Sequence, residues 1–144
     1  MNDIDNLKRF INAQENSYQI ALKEIQNGEK LSHWMWFIFP QIDDLGMSSI
    51  SKEYSIKNPQ EAKDYLNHNI LGKRLIEITT ALIKLENRSA RSIFGYPDDL
   101  KLKSSMTLFK IISPDNKIFS DVLVKYFNDE LCKYTDKYFN SLKT

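Results

Sequence analysis

The segment Lys30-Leu31-Ser32-His33-Trp34-Met35-Trp36-Phe37-Ile38-Phe39-Pro40-Gln41 carries the greatest apolar area per residue in this chain. It contains both tryptophans, two of the eight phenylalanines and one of the two histidines. As a strand it would be apolar on both faces, and as a helix it would be apolar nearly all round. Periodicity therefore leaves helix, strand and irregular structure open, and Pro40 ends any of them. We predict that residues 33–40, the aromatic segment, are buried and that the rest of the chain packs around them.

The composition predicts one ordinary globular domain spanning residues 1–144. A chain of this length can bury a substantial core without disulfides or metal. Its 20 basic and 19 acidic side chains nearly cancel, so global charge does not indicate a nucleic-acid or anionic-membrane partner. Only four glycines and four prolines are present, which disfavours a β-sandwich with many tight turns.

Cysteine usage and hydropathy predict a cytoplasmic protein without cofactor or metal. Cys132 is the one cysteine in the sequence, so no disulfide within the chain can form and no zinc ligand set is present. The N-terminal residues are acidic and polar, unlike a secretion signal, and no run of 18 apolar residues occurs. Secretion and membrane spanning are therefore disfavoured, and the sequence does not indicate an oligomeric state.

Apolar residues at three-and-four spacing recur along most of the chain and predict helices. The first runs from about Ile4 to Glu15, and the sequence Asn58-Pro59-Gln60-Glu61 is a strong helix start with Asn58 as cap. The stripe over 70–85 is the most regular, and Ala90 to Phe94 is a short helix closed by Gly95. We predict a loop over 41–51, a short extended piece over 54–56, and a helical tail over 129–142. The fold class is all-α: a compact array of about seven short helices around the aromatic segment.

Several motifs resemble the bacterial domain-of-unknown-function family 1810, whose members are sometimes mislabelled calpastatin. The resemblance covers nearly the whole chain and rests on Ser32 to Gln41, on Ser104 to Phe109 and on shorter motifs such as Ile93-Phe94-Gly95. It implies a compact, mainly helical, cytoplasmic domain without an assigned activity. The calpastatin label does not transfer, because calpain inhibitors of that name are disordered and this composition is globular.

Polar residues at the ends of the aromatic segment are the first candidates for a binding site. Lys30 and Ser32 precede the segment, and Gln41 and Ser48 follow it, so a loop that folds back would give aromatic walls a polar rim. His33 is either a base or stacking group in that pocket or, as we favour, a core histidine bonded to a backbone carbonyl. Trp36 is either a platform for a planar ring or part of a tryptophan-rich core, which is the more common arrangement.

Three hydroxyls within a predicted helix complete the candidate set. Ser104, Ser105 and Thr107 have no local advantage in a helix interior, so they indicate either a polar cleft or the packing of small residues, and packing is the safer interpretation. His68 is interpreted as a helix cap. The sequence lacks a nucleophile elbow, a Walker loop and a dinucleotide fingerprint, so no catalytic residue is assigned.

Two functions follow from these candidates. The first is a small-molecule-binding protein or enzyme with an aromatic pocket for a planar ring, such as a nucleotide or an ADP-ribose-type ligand. Asn58-Pro59-Gln60-Glu61-Ala62 and Leu71-Gly72-Lys73-Arg74 resemble two short elements of the NADAR group of ADP-ribosyl hydrolases, a likeness that carries no catalytic residue across. The alternative is a non-catalytic helical module for protein interaction, which would expose an apolar stripe.

Overall fold

The computed structural model describes residues 6–43 and 49–142, and within these residues the regular structure is helical. The all-α prediction is confirmed, but the described residues form ten helices instead of about seven. They are α1 Lys8–Gln14, α2 Tyr18–Gln26, α3 Met35–Ile38, α4 Ser49–Glu53, α5 Pro59–Asn67, α6 Leu71–Lys84, α7 Ala90–Phe94, α8 Asp98–Ile112, α9 Lys117–Phe127 and α10 Lys133–Ser141. In this part of the chain no helix is long and apolar enough to cross a membrane.

Two of the ten helices lie where the sequence left structure open or predicted a loop. The aromatic segment contains the single turn α3, and α4 begins inside the predicted loop over 41–51. The predicted extended piece is present at Ile56, which forms an isolated parallel bridge with Ile42. The predicted start of the first helix at Ile4 lies outside the described residues.

The helical tail begins later than predicted, because α9 ends in a left-handed turn. Asn128 and Asp129 both adopt positive φ, 55° and 63°, and the chain then runs to Cys132 before α10 begins. Asparagine tolerates this conformation better than most residues and commonly ends helices in it. The prediction of a continuous helix over 129–142 is therefore wrong in its first four residues.

Local capping signals in the sequence set several helix boundaries. The Asn58 side chain accepts a hydrogen bond from the Glu61 backbone N–H at 2.9 Å, as predicted for a cap followed by Pro59. Glu61 does not reach back to the Asn58 amide; its carboxylate accepts instead from the Lys57 N–H at 3.1 Å and pairs with Arg9 at 2.7 Å. A cap of this kind contributes roughly 1 kcal/mol, so α5 is well defined at its start.

The two longest helices, α6 and α8, make most of the contacts between helices. Helix α6 packs against α2, α5 and α9, while α8 packs against α5, α7, α9 and α10. Leu75, Ile78 and Leu82 lie on the inner face of α6, each at most 1% exposed. Gly72 allows α5 and α6 to approach closely, because a Cβ at this position would lie 1.9 Å from the Leu66 carbonyl oxygen.

The aromatic segment lies in the core, as predicted. Trp34 and Phe39 are at most 1% exposed, and their rings contact Phe94 with centroid distances of 6.3 and 5.9 Å. A buried glutamine ties the segment to its neighbours: the Gln14 amide donates to the Phe37 carbonyl at 2.8 Å and to the Tyr65 hydroxyl at 3.0 Å. These contacts hold a segment that has little regular structure of its own.

Candidate functional site

The chain leading into the aromatic segment is held by one carboxylate on α2. Glu24 Oε1 accepts hydrogen bonds from the Leu31 N–H at 2.8 Å, the Ser32 N–H at 3.0 Å and the Trp34 indole N–H at 2.9 Å. Its Oε2 accepts from the Ser32 hydroxyl at 2.6 Å. Desolvation raises the pKa of Glu24, but these bonds to the ionised form outweigh it and lower the pKa from 4.5 to about 2. Ser32 therefore has a structural contact, made to Glu24.

Lys30 and Trp36 meet around a second carboxylate, at the start of α8. Asp98 pairs with the Lys30 ammonium at 2.9 Å and with the Lys101 ammonium at 3.0 Å. The Lys101 ammonium also lies 4.0 Å from the centre of the Trp36 ring. Desolvation opposes ionisation of Asp98, yet the hydrogen bonds from the two lysines leave its pKa below the ordinary value. One face of Trp36 is thus covered by a cation that is already paired.

The remaining residues near the aromatic segment are spread along it. His33 is exposed, so its interpretation as a core histidine is wrong. Gln41 is half-buried, and its backbone carbonyl accepts from the Ile56 N–H at 2.7 Å. Ser48 lies outside the described residues. Lys30, Ser32 and Trp36 therefore lie together at the beginning of the segment, whereas Gln41 belongs to its end.

The hydroxyls of α8 are buried against α10. The Ser104 and Thr135 hydroxyls are 3.1 Å apart, and Thr107 Oγ1 donates to the Lys103 carbonyl and accepts from the Cys132 N–H at 2.9 Å. Ser105 is fully buried, and its hydroxyl has no hydrogen-bond partner within the described residues. Burial of all three agrees with the packing interpretation, in which small polar residues allow two helices to approach.

The largest of the four cavities described in this structure lies elsewhere, at the junction of two helix turns. This junction cavity has a volume of about 590 Å³ and forms where the α5–α6 turn meets the α8–α9 turn. None of the eight candidate residues that the structure describes lines it. Its lining consists of Leu66, Asn67, His68, Asn69, Gly72, Lys73, Ile76, Glu77, Ser113 and Asn116.

Several polar groups of the junction cavity are oriented by bonds to the backbone. His68 Nδ1 accepts from the Ile70 N–H at 3.0 Å and the Leu71 N–H at 3.3 Å, so His68 caps α6 as the sequence predicted. Asn116 Oδ1 accepts from the Ile118 N–H at 3.3 Å and caps α9. Each side chain thus has one fixed acceptor atom, and its orientation is determined by the helix it caps.

Glu77 separates the junction cavity from a second cavity of about 410 Å³, which lies farther along α6. Its carboxylate accepts a short hydrogen bond from the Tyr18 hydroxyl. Burial raises the pKa of Tyr18 well above its ordinary value, and the bond to Glu77 raises it further. The Tyr18 hydroxyl therefore stays protonated and positions the Glu77 carboxyl group at the boundary between the two cavities.

Sequence reasoning assigned His68 to capping and missed its convergence with the other residues of the cavity. Asn67, His68 and Asn69 are three consecutive polar residues between two helices, and this cluster was the available signal. Of the two motifs resembling the NADAR group, Leu71-Gly72-Lys73-Arg74 contributes Gly72 and Lys73 to the lining. The other motif is structural here, since Glu61 is 5% exposed and paired with Arg9.

The described residues do not bring three or more histidine, cysteine, aspartate or glutamate side chains together in a group that could hold a metal ion. The functional groups at the junction cavity are instead amides, an imidazole, an ammonium, a hydroxyl and one carboxylate. Such a set binds ligands through hydrogen bonds and charge.

Comparison with known proteins agrees with the family resemblance. The crystal structure of the conserved hypothetical protein Rv1873 from Mycobacterium tuberculosis matches this fold with a TM-score of 0.90 and 43% sequence identity. That similarity covers 92% of this chain and 95% of the other. No curated protein shows significant similarity to the chain. Residues 4–139 match the model of the family described as protein of unknown function, DUF1810, and the chain therefore belongs to that family.

Proposed function

We propose that this protein binds a small molecule in the junction cavity. The observation that carries the proposal is the cavity itself: about 590 Å³ lies within the range of roughly 300 to 1,000 Å³ typical of ligand sites. Its walls offer apolar contact from Leu66 and Ile76, which pack on the core, and polar contact from the surrounding amides. A ligand there would touch five segments: the end of α5, the turn after it, α6, the end of α8 and the start of α9.

We propose that the ligand has a planar ring and is of nucleotide or ADP-ribose type. We assign its binding site to the junction cavity instead of the aromatic segment. At the aromatic segment, the Lys101 ammonium occupies one face of Trp36, so a stacking ring would have to displace a paired cation. In the junction cavity, the ring would lie against Leu66 and Ile76 without displacing an ion pair. A cytoplasmic, bacterial setting, predicted from the single cysteine and the family resemblance, is part of the same proposal.

The alternative function, a helical interaction module, is less well supported by the surface. Among the described residues, the large apolar side chains that are exposed are spread over several elements, although Tyr96 and Leu100 lie four positions apart around the start of α8, and Tyr134 lies on α10 with Leu142 directly after that helix. Examples are Ile20 on α2, Leu100 on α8 and Val124 on α9, with exposed fractions of 50%, 49% and 55%. Singly exposed apolar residues are normal for monomeric proteins, whereas a docking face is a contiguous patch.

The proposal can be tested by NMR titration of isotopically labelled protein. The panel contains adenosine, nicotinamide, adenosine monophosphate and ADP-ribose, each raised to about 10 mM so that a dissociation constant near 1 mM would be detected. We expect amide shifts to concentrate in residues 66–77 and 113–116. Shifts confined to residues 33–41, or no shifts with any compound, would contradict the proposal.

A cavity-filling pair of variants provides the matched control. Ser113→Trp fills the junction cavity and should abolish binding. Ser120→Trp makes the same change at a separate cavity of about 440 Å³ and should leave binding unchanged. Equal affinity of the two variants would show that the ligand binds elsewhere.

A further inference from the structure

We infer that the junction cavity selects ligands bearing one oxyanion group, a phosphate or a carboxylate, and that Lys73 binds this group. The inference rests on the proposed function and adds to it the charge of the ligand and the residue that recognises it. It follows from which hydrogen-bonding atoms of the cavity are already used by the protein and which are left.

Lys73 supplies a cation that has no partner within residues 6–43 and 49–142. It lies on the first turn of α6 and lines the cavity, and among the described residues its ammonium makes neither a hydrogen bond nor an ion pair. Lys30, Lys101 and Lys103, in contrast, each pair with a carboxylate. An unpaired ammonium at the wall of a cavity is available to an anionic ligand, whose oxygens accept charge-assisted hydrogen bonds.

His68 supplies a neutral N–H donor. Because its Nδ1 accepts from two backbone N–H groups, that nitrogen must carry a lone pair, and the ring proton is assigned to Nε2. The capping bonds therefore determine the tautomer. The free nitrogen of the ring can donate to a ligand but cannot accept from one.

Asn116 is constrained in the same way. Its Oδ1 accepts from the Ile118 N–H as the cap of α9, so the group left over is the amide NH₂, which donates. Capping uses the one lone pair of His68 Nδ1 and one of the two lone pairs of Asn116 Oδ1, and each side chain retains its donor. Together with Lys73 they give the cavity an excess of donors, and oxyanions are the ligands that accept several hydrogen bonds at once.

Glu77 limits the ligand to one such group. It lies one helical turn after Lys73 on the same wall, and its carboxylate accepts a hydrogen bond from the Tyr18 hydroxyl. A second anionic group near Glu77 would be repelled, while a hydroxyl or amine of the ligand would be accepted there. Within the proposed class, this favours a ligand with a single phosphate or carboxylate at the Lys73 end and hydrogen-bond donors at the Glu77 end, and it disfavours the diphosphate of ADP-ribose itself.

The test is NMR titration with inorganic phosphate, acetate and chloride at constant ionic strength, on wild-type protein and two variants. Phosphate or acetate, but not chloride, should shift the signals of Lys73, His68 and Asn116. Lys73→Gln should weaken that binding about tenfold or more, the effect expected for one charge-assisted hydrogen bond. Lys84→Gln is the matched control: Lys84 lies on the same helix and lines the neighbouring cavity, and its replacement should change affinity less than about twofold.

Comparing phosphate with acetate shows which kind of oxyanion the cavity binds. A response to phosphate alone assigns a phosphate ester, a response to acetate alone assigns a carboxylate, and responses to both assign the shared chemistry. Unchanged affinity in Lys73→Gln, or equal losses in both lysine variants, would overturn the inference. Binding of the uncharged panel compounds at residues 66–77 without any response to either anion would overturn it as well, while leaving the proposed function intact.

Discussion

Replacing Glu24 by glutamine tests how one carboxylate holds the buried aromatic segment. The side chain accepts four hydrogen bonds, from Leu31, from both the backbone and the hydroxyl of Ser32, and from the Trp34 indole. Glutamine keeps the size and one carbonyl oxygen but removes the charge. The change from an ordinary pKa of 4.5 to about 2 corresponds to roughly 3 kcal/mol if the site were fully shielded. Because Glu24 is only half-buried, solvent screening reduces this to about 1 to 2 kcal/mol.

The sign of the pH dependence follows from the direction of the pKa change. A carboxyl whose pKa is lower in the folded state stabilises the fold above its ordinary pKa, and this contribution is lost as the pH falls toward the folded value. Wild-type protein should therefore exceed Glu24→Gln in free energy of unfolding by about 1 to 2 kcal/mol at pH 7. The difference should shrink progressively from about pH 4.5 downward, because Glu24 then takes up a proton in the unfolded state while it stays ionised in the folded state until about pH 2.

Urea denaturation followed by tryptophan fluorescence, repeated from pH 7 to pH 3, measures this difference directly. Glu29→Gln is the control, because Glu29 is exposed and the same chemical change there should alter stability by less than about 0.5 kcal/mol. A wild-type advantage that stays constant down to pH 3 would refute the reasoning, as would equal effects of the two substitutions.

Two further predictions concern the core. Trp34→Ala should lower the free energy of unfolding by about 3 to 5 kcal/mol, because Trp34 is 1% exposed. Trp36 is half-buried, so Trp36→Ala should lower it by only about 1 to 2 kcal/mol. Equal losses in urea denaturation would contradict the different burial of the two rings. Gly72→Ala should lower the free energy of unfolding by about 2 kcal/mol or more, because the new Cβ would lie 1.9 Å from the Leu66 carbonyl oxygen. Gly95→Ala should lower it by only about 1 kcal/mol, because the space around Gly95 is open and the loss comes from its φ of 76°. Thermal unfolding of both variants measures the two losses. A smaller loss at Gly72 than at Gly95 would show that α5 and α6 can move apart.

Features of this fold that depend on neighbouring residues were predictable from the sequence. Asn58 with Pro59 marks the start of α5, and Gly95, with a φ of 76°, ends α7, because capping and backbone preferences act within one turn. The start of α10 was missed although Asn128 was a visible stop signal. The aromatic segment could not be assigned because its geometry depends on Glu24, whose contacts come from another helix.

The junction cavity was beyond prediction for a different reason. His68 was recognised as a cap, but Asn116 lies 48 positions away in the chain, and only the packing of α6 against α9 brings the two to one cavity. The hydroxyls of α8 drew attention because polar residues are unusual inside a helix, and their explanation is contact with α10 through Thr135. The residue types in the sequence identified polar positions, but they could not determine which of these side chains line the same cavity.

The position of α6 affects how ligand binding would appear in a bulk measurement. This helix forms a wall of the junction cavity on its outer side and carries Leu75, Ile78 and Leu82 into the core on its inner side. The cavity wall therefore cannot unfold without loss of the core, so occupancy is linked to the cooperative unfolding of the whole domain. A ligand at one hundred times its dissociation constant adds about 2.7 kcal/mol to the free energy of unfolding. For a chain of this size that raises Tm by about 5 to 10 °C, so compounds can be ranked by calorimetry without any knowledge of an enzymatic activity.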